Sequence, residues 1–228
     1  MGRRVILGML AAGGVGVLVG ARAQDAISTA LAPITQRDPT GLTGLLPSGG
    51  GWRYYSVTGN QPHRDDSTYR LAIGGMVRNT ADLRLDDLRA MPQIGLTRDF
   101  QCVTGWRVKE VPWSGVLLRD LLDQAGISPQ ASALRLTSFD GVYTESLTLE
   151  QARRSDVLVA LQMYGKPVTR AHGGPVRLYV APMYGYKSLK WLDGIQVTDQ
   201  VIPGYWEERG YDVDAWIGRS NGRDDEPV

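Results

Sequence analysis

Cys102 is the one cysteine among 228 residues, which excludes an internal disulfide and any multi-cysteine zinc or iron–sulfur site. It stands in Asp99-Phe100-Gln101-Cys102-Val103-Thr104-Gly105-Trp106-Arg107, after an apolar stretch and before a glycine. Such a setting suits the end of a strand, where a side chain meets a cleft. Arg107 is near enough in sequence to favour the thiolate, and a thiolate is a soft-metal ligand or a nucleophile. The plain alternative is a small buried hydrophobe. A Cys–His hydrolase would need a base, and His63 and His172 are the only histidines. His63 falls in the polar loop Asn60 to Ser67, where a solvated side chain is expected.

A second group of residues has the make-up of an anion site. His172-Gly173-Gly174-Pro175-Val176-Arg177 sets a histidine beside two glycines and a rigid proline that feed a strand. The backbone N–H groups of such a loop can approach a ligand closely. Further on stands Tyr184-Gly185-Tyr186-Lys187-Ser188-Leu189-Lys190-Trp191. Arg177, Lys187 and Lys190, with the Ser188 hydroxyl, would hold a phosphate through charge-assisted hydrogen bonds. Taken alone, the same residues equally describe a turn and an exposed basic edge. Tyr205 and Trp206 follow the Pro203-Gly204 turn, where they would either line a substrate mouth or pack the terminal segment over the core.

Composition narrows the classes. The chain is 43% apolar and 21% charged, a soluble globular balance. A net charge of +1 offers no surface-wide field for nucleic acid, so any anion must be held by a local cluster. No Gly-rich strand-to-helix turn of dinucleotide type and no Walker-type loop is present, which argues against nucleotide cofactors. Residues 1–23 look like an export leader or membrane anchor. Arg3 and Arg4 precede an apolar run from Val5 to Gly20, and Ala21-Arg22-Ala23 has the small residues of a cleavage site. The paired arginines resemble a twin-arginine signal, with Gly2 where Ser or Thr is usual and Gly8 where Lys is common. The run falls short of the about twenty residues that span a bilayer comfortably.

Positioning these groups requires a frame. Residues 24–51 read as a linker carrying Pro33, Pro39, Pro47 and a Gly-rich end, residues 52–218 as one domain, and 219–228 as a polar tail. Tyr69 to Val77 is strand-like and Leu83 to Met91 suits a short helix. Leu117 to Ala125 has one apolar helical face closed by Gly126. Asp140-Gly141 predicts a hairpin between Leu134–Leu136 and Tyr143–Leu147. Thr148 with Gln151 fits a capping box ahead of Leu149 to Arg154. Val157 to Met163, Val176 to Val180 and Gly194 to Val201 complete the strands. The irregular order predicts an α+β domain with mixed sheets and short helices rather than a doubly wound parallel sheet.

Four blocks in this order resemble the sulfite oxidase-like molybdopterin oxidoreductases, a family that includes the catalytic subunit of periplasmic methionine-sulfoxide reductase. They are Phe100-Gln101-Cys102 with Gly105, Val111-Pro112-Trp113-Ser114-Gly115, His172 to Arg177, and Lys187 to Trp191. The similarity runs from about Trp52 to Gly218. It implies a sulfite oxidase-type fold and a molybdenum–molybdopterin cofactor bound to the protein through Cys102. It further implies that Asp140, His172, Arg177, Ser188 and Lys190 contact the pterin or its phosphate, with the early loop adding Arg53, Tyr55 and Ser56. Tyr143 resembles the active-site tyrosine of sulfite oxidases, and Arg107 one of their substrate-side arginines.

The implied activity is oxygen-atom transfer with a small-molecule substrate. The metal carries the difficult step, while the protein supplies position and charge. Arg107 would face a negative substrate or developing oxyanion, and Tyr143 would donate a hydrogen bond at the reacting oxygen. The sequence has no haem-binding domain, so electrons are expected to pass to or from a separate partner in the membrane or periplasm. It ends soon after Trp216, without the C-terminal dimerisation domain of true sulfite oxidases, which argues against sulfite as substrate. His172 matches the sulfite oxidase branch, whereas the methionine-sulfoxide reductase branch has Asn there. The competing expectation is a non-catalytic module binding the pterin or another anion.

Overall fold

The computed structural model describes residues 51–220. The expected leader at 1–23, nearly all of the linker at 24–51 and nearly all of the tail at 219–228 lie outside the described residues. Residues 51–60 belong to one compact unit, Met1–Asn60, and the rest to a second, Gln61–Val228. Within the first, a turn closes on the Ser56 hydroxyl, which donates to the Asn60 carbonyl at 2.6 Å.

The second unit holds the core, between two five-stranded sheets and a few short helices. The first sheet has the order β2-β1-β10-β5-β6, built from β1 (Arg70–Gly75), β2 (Ala81–Arg84), β5 (Ala133–Ser138), β6 (Thr144–Thr148) and β10 (Leu192–Thr198). Only its β1–β10 pair is parallel, so the sheet is mixed. The second joins β3 (Ile94–Gln101), β4 (Arg107–Leu117), β7 (Val157–Met163) and β8 (Lys166–Pro167), with β9 (Arg177–Val180) also on β7. This is the α+β architecture with mixed sheets that the sequence predicts.

Burial follows chemistry. β7 reads VLVALQM and hides six of its seven side chains, the continuous apolar run of a strand covered on both faces. Helix α2 (Leu118–Ala125) turns Leu118, Leu121, Leu122 and Ala125 inward against β4 and β7. Each buried leucine contributes about 1.5–3 kcal/mol. α2 stops at Gly126, which takes the left-handed conformation at φ 68°. Helix α3 (Leu149–Ala152) opens on the predicted Thr148–Gln151 capping box and is shorter than expected.

Three expectations shift. The helix foreseen from Leu83 begins only at Leu85 as α1 (Leu85–Ala90), because Leu83 and Arg84 pair with β1 as part of β2. The last strand sits earlier, at Leu192–Thr198, in register with β5. β4 has no counterpart among the predicted strands, since Pro112 and Gly115 look like breaks. Pro112 is tolerated because it pairs with Thr97 of β3 beyond the β7 ladder, which begins at Trp113–Met163. Among the described residues, no helix is long and apolar enough to cross a membrane.

Candidate active site

Cys102 closes β3 and opens the tight connection to β4. Its N–H donates to the Trp106 carbonyl at 2.9 Å and its carbonyl accepts from Gly105 N–H at 3.0 Å, so the loop folds around the thiol. The side chain is partly exposed, and Sγ accepts a hydrogen bond from the Thr104 hydroxyl at 3.2 Å. Thr104 is the one sulfur partner that sequence spacing did not single out.

The segment Gly185–Lys190 runs from the end of β3, beside Phe100 and Gln101, to a group of cations. At its start Gly185 lies flat against the end of β3. A Cβ there would stand 2.5 Å from the Phe100 ring and 3.4 Å from the Gln101 carbonyl oxygen, so only glycine permits the approach. The next residue, Tyr186, accepts the Tyr143 hydroxyl on its carbonyl at 2.7 Å. Tyr143 is half-buried and stacks on Tyr205, with ring centroids 5.7 Å apart. Burial and the nearby Glu145 carboxylate raise its pKa well above the ordinary tyrosine value. Tyr205 thus forms a wall beside Tyr143, while Trp206 packs against the core.

The far end of the segment is cationic, with Arg177 and His172 buried and Lys190 half-buried. Arg177, on β9, is 3% exposed and donates to the carbonyls of His172 at 2.8 Å and Ser188 at 2.6 Å. Its guanidinium also lies 5.5 Å from the Phe100 ring and 5.3 Å from that of Trp113, a cation–π setting. No carboxylate forms a salt bridge with it among the described residues. Gly173, at φ 97°, packs its α-carbon against Lys190, where a Cβ would stand 2.6 Å from the lysine Cβ. The loop is then pinned by Trp191, whose N–H donates to the Gly173 carbonyl and whose indole donates to Arg170. The Ser188 hydroxyl accepts Val180 N–H at 2.9 Å.

Like charges strain this end. Burial, then the Arg177 charge, pulls Lys190 down to about 7, with Asp140 opposing. Burial, Arg177 and Lys190 together hold His172 down to about 3, so its imidazole stays neutral near pH 7. Burial lowers Arg177 to about 10. An anion placed here would relieve all three.

The remaining predicted residues take several places. Asp140 caps the β5–β6 turn, its Oδ1 accepting from the N–H groups of Val142 and Tyr143, and it also faces Lys190 electrostatically. Arg107 turns toward β3, donating to Gln101 Oε1 through Nε and Nη2, with Asp99 3.6 Å away. Lys187, expected among the phosphate cations, is instead enclosed by Glu145 and Glu207. Arg53, Tyr55 and Ser56 lie in the separate unit ending at Asn60. A cleft of about 540 Å³ lined by His63, Arg64, Arg89, Gln162 and Arg170 borders the His172 loop at Gly174 and Pro175. Its lining does not include Cys102.

A molybdenum–pterin group fits these residues on two counts. Among the described residues no three His, Cys, Asp or Glu side chains gather to hold a metal. A metal at Cys102 must therefore bring most of its own ligands, as a dithiolene pterin does. A phosphate-bearing tail would relieve the mutual repulsion of the buried Arg177 and its neighbour Lys190.

Comparison with known proteins agrees. The family described as "Oxidoreductase molybdopterin binding domain" matches residues 58–206. The chain is 35% identical over 162 residues to the uncharacterized oxidoreductase YuiH of Bacillus subtilis, covering 70% of this chain and 81% of that one. It is 29% identical over 178 residues to the sulfite oxidase of Arabidopsis thaliana, covering 63% and 45%. The crystal structure of the sulfane dehydrogenase SoxCD from Paracoccus pantotrophus shares the fold, with a TM-score of 0.60 at 22% identity over 75% of this chain and 46% of that one. The chain therefore spans less than half the length of these last two proteins. The family match and the shared fold place this chain among the sulfite oxidase-like oxidoreductases, enzymes whose cofactor is molybdenum–molybdopterin.

Proposed function

We propose that this enzyme transfers an oxygen atom to or from a small substrate at a molybdenum held by Cys102, and exchanges electrons with a separate partner protein. The observation that carries the proposal is the course of Gly185–Lys190. One end lies against the strand that presents Cys102, and the other ends among Arg177, His172 and Lys190. Cys102 would hold the metal of such a cofactor, and the loops around Arg177, His172 and Lys190 its phosphate.

When bound, the cofactor supplies a two-electron centre that gives or takes an oxygen atom. The chain's own residues orient and protect that chemistry. Lys190 and the His172–Gly173 loop hold the phosphate end, while Arg177 ties His172 to Ser188 and keeps the two loops in register. Tyr143 Oη, resting on the Tyr186 carbonyl, would be the hydrogen-bond donor available to the substrate, and Tyr205, stacked on its ring, would keep water from that face. Arg107, fixed in advance by Gln101 and Asp99, draws a negatively charged substrate toward the mouth. Sulfur-centred substrates are the first to assay, because the named relatives include a sulfite oxidase and a sulfane dehydrogenase.

Tyr143→Phe tests the role of the hydroxyl. Molybdenum content should stay at the native level while turnover with an artificial electron carrier drops on the order of 10²-fold. Unchanged turnover removes Tyr143 from the mechanism. Export is the companion proposal, motivated by Arg3 and Arg4 ahead of the apolar run. Replacing both with Lys should retain the protein in the cytoplasm on fractionation, and export of that variant sinks the twin-arginine route.

A further inference from the structure

A closed charge cluster lies beside Tyr143, and oxygen transfer at Cys102 makes no direct use of it. The side chains of Lys187, Glu145 and Glu207 are 0–1% exposed. Lys187 Nζ lies 2.7 Å from Glu145 Oε1 and also binds Glu207 Oε1. Glu145 Oε1 accepts the Ser146 N–H at 2.8 Å. Glu207 Oε2 accepts the Ser146 hydroxyl at 2.9 Å and the Gly204 N–H at 2.6 Å. Glu145 Oε2 is buried with no hydrogen-bond partner among the described residues.

Two carboxylates around one ammonium leave an excess negative charge where water does not reach. Such a charge is costly enough that a buried site takes up a proton instead. Glu145 is the member that takes it. Burial pushes its pKa up, Lys187 pulls it down and Glu207 pushes it up again, to about 8. Burial also pushes Glu207 up, but the adjoining Glu145 carboxyl and the Lys187 charge outweigh that and lower it.

Each member anchors a different contact of Tyr143. Glu145 follows Tyr143 by two residues, at the start of β6, where it pairs with Leu136 of β5. Lys187 follows Tyr186, whose carbonyl accepts the Tyr143 hydroxyl. Glu207 holds the Gly204 turn, from which Tyr205 donates to the Thr144 carbonyl at 3.0 Å and stacks on the Tyr143 ring. The charged and titratable groups acting on Glu145 are Lys187 and Glu207, and those acting on Tyr143 are Glu145, Glu207, Tyr186 and Asp140, with the Arg177 guanidinium acting on it from β9.

We propose that Glu145, Lys187 and Glu207 form a proton-holding cluster that positions Tyr143. With one proton held, the Tyr186 and Tyr205 walls stay clamped around Tyr143. Loss of that proton leaves an uncompensated carboxylate that pushes the walls apart and moves the hydroxyl. The consequence for turnover rests on the proposed role of Tyr143, whereas the coupling is read without turnover. Glu145 has a folded pKa above its ordinary 4.5, so its contribution to stability is complete below that value and is lost as pH rises through about 8.

The test is ring-carbon-labelled tyrosine NMR on the full-length oxidised protein, with the Tyr143 signal identified by its loss in Tyr143→Phe. In the native protein that signal should shift with a midpoint near pH 8, while the melting temperature should fall from about pH 4.5 up to that midpoint and level off above it. Glu145→Gln mimics the protonated acid and should abolish both effects. Glu207→Gln removes the neighbouring charge that raises Glu145, so the midpoint should move to lower pH. A Tyr143 signal that does not titrate, or that titrates alike in Glu145→Gln, overturns the proposal. If Glu145→Gln fails to fold, an unmoved midpoint in Glu207→Gln overturns it. A catalytically active preparation that holds no molybdenum and still titrates would remove the proposed function and leave this cluster standing. An active, molybdenum-loaded preparation without titration does the reverse.

Discussion

Two lysines three residues apart, Lys187 and Lys190, end in opposite electrical surroundings. Lys187 sits between two carboxylates in a sealed interior, so its cluster has surplus negative charge. Lys190 sits beside Arg177 and the neutral His172, with Asp140 as the opposing charge, so its cluster has surplus positive charge. The sealed cluster can correct its surplus only with a proton. The partly open one can correct it with a ligand. The same residue type thus serves the frame at one position and, in the proposed function, the cofactor at the other, which local sequence could not distinguish.

The comparison breaks most visibly if both lysines are truncated in the same way. Lys187→Met leaves two carboxylates facing each other in the core and should cost about 3–5 kcal/mol, read as a lowered denaturant midpoint. A midpoint within error of native would mean that the acidic cluster is not closed. Lys190→Met removes a strained cation and should leave the stability of cofactor-free protein unchanged within about 1 kcal/mol. Its cost should fall on pterin retention instead, by about tenfold, the worth of one charge-assisted hydrogen bond. Full pterin retention by Lys190→Met would move the phosphate away from this end.

The sequence discloses what is local. Gly126 stops α2, Thr148 and Gln151 cap α3, and Asp140-Gly141 turns the β5–β6 hairpin, each through contacts within a few residues. The placement of Cys102 at a strand end was legible for the same reason. β4 was not, because its Pro112 and Gly115 are tolerated only through long-range pairing with β3 and β7. The parallel pairing of β1 with β10 is equally remote, joining the start of the domain to its final strand.

The site divides along the same line. His172, Arg177, Ser188 and Lys190 belong to two motif blocks, and the structure brings those blocks together. What the motifs do not show is the division of labour between them. Arg177 commits donors to the His172 and Ser188 carbonyls, and Ser188 gives its hydroxyl oxygen to Val180. Both fasten the loops that Lys190 shares. The acidic cluster was invisible, since Lys187 finds Glu145 42 residues away and Glu207 20 residues away. Charge type alone suggested a phosphate for Lys187, and only packing assigns it to the carboxylates.

The thiol of Cys102 decides the account most directly. Metal analysis and pterin fluorescence on the purified native protein and on Cys102→Ser should give close to one molybdenum and one pterin per native chain, with the molybdenum lost in the variant. A folded, active native preparation with a freely alkylated Cys102 and no pterin would contradict it.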